Sequence, residues 1–450
     1  MSPTARTIRP LTAILLIALV TVACAGKSPA SVTTSPAPIA LATPHAPPSS
    51  PRGSAAPTID PASANDAWLV TGHAGEPNLQ VILASTNERW FDLPPGVPDQ
   101  TWSQLLTAAT DGRTTVIRDL TVYETGGPSQ TIAGAWRLPT IGADPAPVGV
   151  SADGQTIVLV EQAPAAAGTS RFAVVRRTFA AKPRIVELKG SFAYDALSGD
   201  GRFLYVVEHL AGPPDGHYQV RAVDTATGAL HPDVVVDKAG GNEPMAGWPI
   251  AQVRRPDGMV FTLYHGAEHP FIHALSSNDG WALCIDLPAT GAADTAASAD
   301  WGLAATVDGS SLVAANATLG LAVGIDLPDL AIARSRSFAP SAATGISLAK
   351  FGHEAGGNVG RRVVVSPLGS AIFAAGPGGI VRIAASDLSM SGRLLEGVAV
   401  DAMAITPDGG TLYALVHVGG HIVKLDAVSG KQLRQVPGSG FDRLLAVIPW

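Results

Sequence analysis

The sequence predicts an all-β fold, a β-propeller of four-stranded antiparallel blades. Three observations predict it. A short apolar strand, an Asp-Gly turn and a second apolar strand recur along the chain. The turns return roughly every 40–60 residues, close to the period of a propeller blade. No convincing long run carries helical periodicity, an Ala-rich stretch at 291–299 being ambiguous.

Residues 1–23 read as an export signal, with Arg6 and Arg9 ahead of an apolar run from Leu11 to Ala23. The run is short for a membrane span. Thr21-Val-Ala-Cys24 resembles the lipobox of bacterial lipoproteins, with Thr21 in place of the usual leucine. That resemblance implies that Cys24 is lipidated and begins the mature chain; such an anchor would bury many methylenes at ~0.8 kcal/mol each, enough for stable attachment. Residues 24–61 then form a tether rich in Pro, Ala, Ser and Thr. Such a composition cannot bury a core. In polyproline geometry, at ~3.1 Å per residue, its low-complexity part reaches about 90 Å.

The propeller domain is expected over 62–450. Its clearest units turn at Asp153-Gly154, Asp200-Gly201 and Asp408-Gly409, and weaker ones at Asp111, Asp257, Asp308 and Leu368. Asp-Gly supplies the positive φ of a tight hairpin, and the flanking Val, Leu, Ile and Tyr supply β-propensity. These turns make seven units. The chain ends suggest an eighth. Leu444–Ile448 reads as an innermost strand with no hairpin partner after it. Ala67–Val70, Leu79–Leu83 and Trp90–Leu93 read as three outer strands with none before them. Joined, they form a composite blade that closes the ring and removes two exposed sheet edges. Eight blades is the count, with seven possible if one weak unit is an insertion.

The unit resembles the YVTN-type propeller repeat, carried by Thr406-Pro-Asp-Gly-Gly-Thr-Leu-Tyr413 and Gly199-Asp-Gly-Arg-Phe-Leu-Tyr205. The WD-repeat class shares the pattern, but no Trp-Asp pair ends these blades.

Of the chain's 450 residues, 15% are charged and the formal net charge is −7, which argues against a nucleic-acid-binding face. Two cysteines make no disulfide framework, and no C-x-x-C or Walker loop occurs. No cofactor, catalytic or metal-binding residue is assigned. His265-Gly-Ala-Glu-His269 matches an inverted zinc-protease string, but Gly266 and Pro270 deny it the helix it needs. Cys284 sits in an apolar strand and reads as a buried thiol.

Eight or nine residues past each turn, where the second strand should end, stand Asp119, Glu161 or Gln162, Glu208 or His209, His265, Asn316 and His417. His73 is their counterpart in the composite blade. These residues are either turn chemistry or a polar rim on one mouth of the propeller. The expected function is a ligand- or protein-binding module on the outer face of the cytoplasmic membrane. Its partners would be the membrane, through the lipid, and an envelope protein or small ligand. The alternative is a propeller enzyme, a lactonase-like hydrolase or a quinone-dependent dehydrogenase.

Overall fold

The computed structural model describes residues 66–448, except 74, 77, 100–101, 122–125, 143–146, 163–167, 211–216, 236–243, 267–268, 289–299 and 341–358. The signal, Cys24, the tether and the 291–299 stretch lie outside the described residues.

The turns form for a local reason. In the Ser198-Gly-Asp200-Gly201 turn, Asp200 Oδ1 accepts the Arg202 N–H at 2.9 Å and the Ser198 hydroxyl at 2.7 Å. Ser198 Oγ in turn accepts the Phe203 N–H at 2.9 Å. Thr406 and Asp408 repeat the arrangement with Gly410 and Thr411. The signal is therefore a hydroxyl two residues before the aspartate as well as the Asp-Gly pair. Gly201 at φ +68° and Gly409 at φ +71° take the left-handed conformation that closes the turn. The same bonds hold these carboxyls below their ordinary value. Asp308 falls to about 2, chiefly through the Thr306 hydroxyl and then through Ser310.

The described strands, none accompanied by a described helix, fall into eight four-stranded antiparallel groups, with the short strand Val359–Gly360 added in parallel to Phe441–Ile448. Blade 1 is the composite one. The C-terminal strand Phe441–Ile448 pairs with Trp68–His73, followed outward by Leu79–Leu83 and Arg89–Leu93. The innermost strands of blades 2 to 8 are Gly96–Pro98, Trp136–Arg137, Ser191–Leu197, Met245–Arg254, Gly302–Ala305, Val363–Val365 and Val400–Ile405. Blades 4 and 5 are also joined by two bridging pairs, His217↔Ala246 and Tyr218↔Met245.

Apolar clusters then link the blades in turn. Leu105 of blade 2 packs among Val70, Val81 and Leu93 of blade 1. Leu106 and Ile117 meet Trp136 and Leu159 of blade 3. The series runs on between each neighbouring pair to blades 7 and 8. It returns through Ala402, Tyr413 and Leu415 of blade 8 against Leu69, Ile82 and Leu444 of blade 1. Every blade buries both faces against neighbours, and the ring closes at the composite blade. The propeller is thus established, and its grouping agrees with a count of eight.

Polar clasps reinforce the outer rim. Gln130 and Arg184, on the outer strands of blades 2 and 3, donate to the Ala181 and Thr227 carbonyls at 2.7 and 3.3 Å. Arg334 of blade 6 and Arg382 of blade 7 reach the Ser386 and Val428 carbonyls. Each acceptor lies in the third-to-fourth turn of the following blade. Side-chain N–H donors thus satisfy turn carbonyls of the next blade.

One turn is corrected. Asp111-Gly112 joins Gln104–Thr110 to Thr114–Thr121, the second and third strands of blade 2. The first strand, Gly96–Pro98, precedes the second, Gln104–Thr110, and between them Asp99 Oδ1 accepts the Ser103 N–H at 2.7 Å. An aspartate cap suits any hairpin, so the dipeptide marks a turn without ranking it.

Candidate functional site

An antiparallel blade sorts its connections between two faces. Turns from first to second and third to fourth strand share one, the turn face. Loops from second to third strand share the other with the starts of the innermost strands, and this is the loop face. Second-strand ends therefore gather polar groups on the loop face.

His73 ends its strand there, with Nδ1 3.1 Å from the Gly440 carbonyl and its ring 4.4 Å from that of Phe441. Arg443 crosses the same corner, donating to the His73 carbonyl at 3.1 Å and to Asp442 at 3.0 Å. Glu161 ends the second strand of blade 3 and pairs with Arg171 at 2.6 Å. Arg171 also lies over the Trp136 ring. His209 ends its strand largely exposed, and partial desolvation holds its imidazole below its ordinary value. Glu208, its neighbour, pairs with Arg221 at 2.8 Å. Asn316 is fully buried, and its Oδ1 accepts the Leu319 N–H at 2.9 Å, which is turn chemistry.

Asp119 belongs elsewhere. It lies within the third strand of blade 2, near the turn face, and pairs with Arg177 of blade 3 at 2.6 Å. Its displacement follows from the Asp111 turn joining a different pair of strands. His265 is buried on the second strand of blade 5 with its ring 4.4 Å from that of Trp248. His269, of the zinc-protease string, starts the third strand's approach and pairs with Asp286 at 2.9 Å.

His417 and Asp401 form a largely buried acid–imidazole unit. Both carboxylate oxygens lie 3.0 Å from Nδ1. Asp401 stands at a register shift of the innermost strand of blade 8, between Val400 and Ala402, and is buried. A bulge re-aims one side chain, here bringing an acid under a loop-face histidine. A second unit joins Asp300, 1% exposed, to Arg362 and Thr318, each at 2.8 Å. Sequence reading missed Asp300, Arg362, Asp401, Arg443 and Trp248. The available signal was an isolated acid in an apolar strand, as in Val398-Ala-Val-Asp401-Ala-Met-Ala-Ile405.

The loop face thus carries charged and aromatic groups around the ring, several held by a local partner. Among the described residues no group of three or more His, Cys, Asp or Glu is placed to hold a metal. Trp248 keeps 43% of its surface exposed on this face.

No family model and no curated protein matches the chain. Solved structures similar to it include AztD from Citrobacter koseri, at 11% identity and TM-score 0.48, covering 84% of this chain and 98% of that one. Sqt1 from Saccharomyces cerevisiae stands at 11% and 0.44, covering 84% and 87%. The Cps50 (Swd1) β-propeller domain from Myceliophteria thermophila stands at 12% and 0.37, covering 69% and 92%. Similarity at this level assigns no function to the chain.

Proposed function

We propose that this protein is a lipid-anchored binding module of the cell envelope. Cys24 carries the anchor, the tether sets the stand-off, and the loop face of the propeller meets an envelope protein or a small ligand. The observation that carries this reading is Trp248. It is a large aromatic, partly exposed on the loop face and backed by a buried histidine. Rigid aromatics with fixed polar neighbours are the usual anchors of binding surfaces. The hydroxyl-x-Asp-Gly turns support placing the repeats with the YVTN type.

Photo-crosslinking of the full-length protein in its native membranes tests the surface. Trp248→Ala is expected to reduce the cross-linked complex at least tenfold, the usual effect of removing an aromatic hot spot. The melting curve is expected to stay unchanged. Equal capture by the variant would overturn the assignment. The anchor has its own test. Cys24→Ser is expected to move the protein from the membrane to the soluble fraction almost completely, since the acyl chains supply the attachment. A variant that still sediments with membranes would refute it.

A further inference from the structure

A cleft of about 210 Å³ opens on the loop face between blades 3 and 4. Arg137, Glu161 and Arg171 supply its charges, Val160 and Phe192 an apolar wall, and Thr140 a hydroxyl. The two arginines differ. Arg171 is balanced by Glu161 at 2.6 Å and Glu187 at 3.5 Å. The Arg137 side chain makes no hydrogen bond or ion pair among the described residues. It lies on the innermost strand, paired in register with Val160. Its side chain is exposed at the cleft mouth, and partial desolvation holds its guanidinium below the ordinary value.

We propose that this cleft binds a small organic carboxylate, with Arg137 as its anchor. The proposal rests on the loop face being the binding face. A guanidinium fork matches a carboxylate in two parallel hydrogen bonds. One uncompensated positive charge calls for a single negative charge, which favours a carboxylate over a phosphate dianion. The Val160 and Phe192 wall accepts the organic part. The volume equals that of about seven waters at ~30 Å³ each, enough for one ring-sized body.

The test titrates full-length, detergent-solubilised protein with sodium benzoate, followed by calorimetry. Saturable binding is expected with a Kd on the order of 1 mM. Arg137→Gln is expected to weaken it at least tenfold, and Arg137→Lys by less, because lysine keeps the charge and loses the fork. Neither variant is expected to lower the melting temperature, since the guanidinium holds no described part of the fold. Absence of saturable benzoate binding, or equal binding by Arg137→Gln, would overturn the site. Inorganic phosphate bound in preference to benzoate would overturn the carboxylate assignment. The two readings fail separately. Loss of benzoate binding with Trp248-dependent capture intact sinks the cleft alone. Arg137-dependent benzoate binding without Trp248 dependence sinks only the aromatic anchor.

Discussion

Replacing Asp195 with asparagine is expected to stabilise the protein by roughly 4 kcal/mol at pH 8 and to leave it unchanged at pH 4. Asp195 lies on the innermost strand of blade 4, at a register shift between Tyr194 and Ala196. Its side chain is 2% exposed, and Oδ2 has no hydrogen-bond partner among the described residues. Burial raises the carboxyl from its ordinary 3.8 to about 7. The sign follows from proton binding. Below pH 4 both folded and unfolded chains hold the proton, and no penalty exists. Between pH 4 and 7 the folded chain keeps a proton that the unfolded chain has released, so stability falls as pH rises. Above pH 7 both are ionised, and the full cost of the buried charge remains, at ~1.4 kcal/mol per pH unit traversed. Asparagine has the same shape and never ionises.

The surroundings do not confuse that experiment. Burial, with Asp195 adding to it, pushes the Tyr218 and Tyr264 phenols upward, so both stay neutral across this range. His273, lowered to about 4 by burial, is common to both proteins and cancels in the difference. Urea unfolding of parent and variant at pH 4 and pH 8 reads the effect. An equal stability difference at both pH values would show that Asp195 does not carry the raised proton affinity.

Asp195 and Asp401 also show where sequence reading stops. The hairpins were legible because their cause is local: a hydroxyl, an aspartate and a glycine within four residues bond to one another. The composite blade was legible because two chain ends each carried strands that lacked partners. A bulge is different. Alternation along a strand says which residues face inward only while the register holds, and one extra residue reverses it. Nothing in the strings around Asp195 or Asp401 marks the shift. The loop face divides the same way. Strand ends could be counted from the turns, and the count slipped at Asp111, taking Asp119 with it. Partners could not be counted at all. Asp401 stands 16 residues from His417, and Asp300 stands 62 from Arg362. The bulged hairpin of blade 8 brings the first pair within 3.0 Å, and the packing of blade 7 on blade 6 brings the second within 2.8 Å.

A chain ending at Gly440 is expected not to fold, although it keeps every strand of blades 2 to 8. The lost strand, Phe441–Ile448, is the innermost strand of blade 1. Without it, Trp68–His73 becomes a bare edge, and the core shared by blades 8 and 1 loses Phe441, Leu444 and Val447. Each such side chain contributes about 1.5–3 kcal/mol when buried, against a total stability of about 5–15 kcal/mol for a domain. No covalent staple stands in reserve, because the free thiol of Cys284 is the one cysteine among the described residues. Leu444→Ala isolates the effect with the strand in place. Leu444 is fully buried against blade 8, so its truncation is expected to cost about 2–5 kcal/mol. Ile332→Ala is the control. Ile332 lies on the outer strand of blade 6 at 39% exposure and is expected to cost under about 1 kcal/mol. Circular dichroism melts of the three variants rank them. A shortened chain that melts cooperatively at the parent temperature would mean that the ring is held without its closing strand. Leu444→Ala melting with Ile332→Ala would place the closure energy outside the blade 8 to blade 1 core. The expected order assigns it to that core, where the first and last strands of the propeller meet without a covalent link.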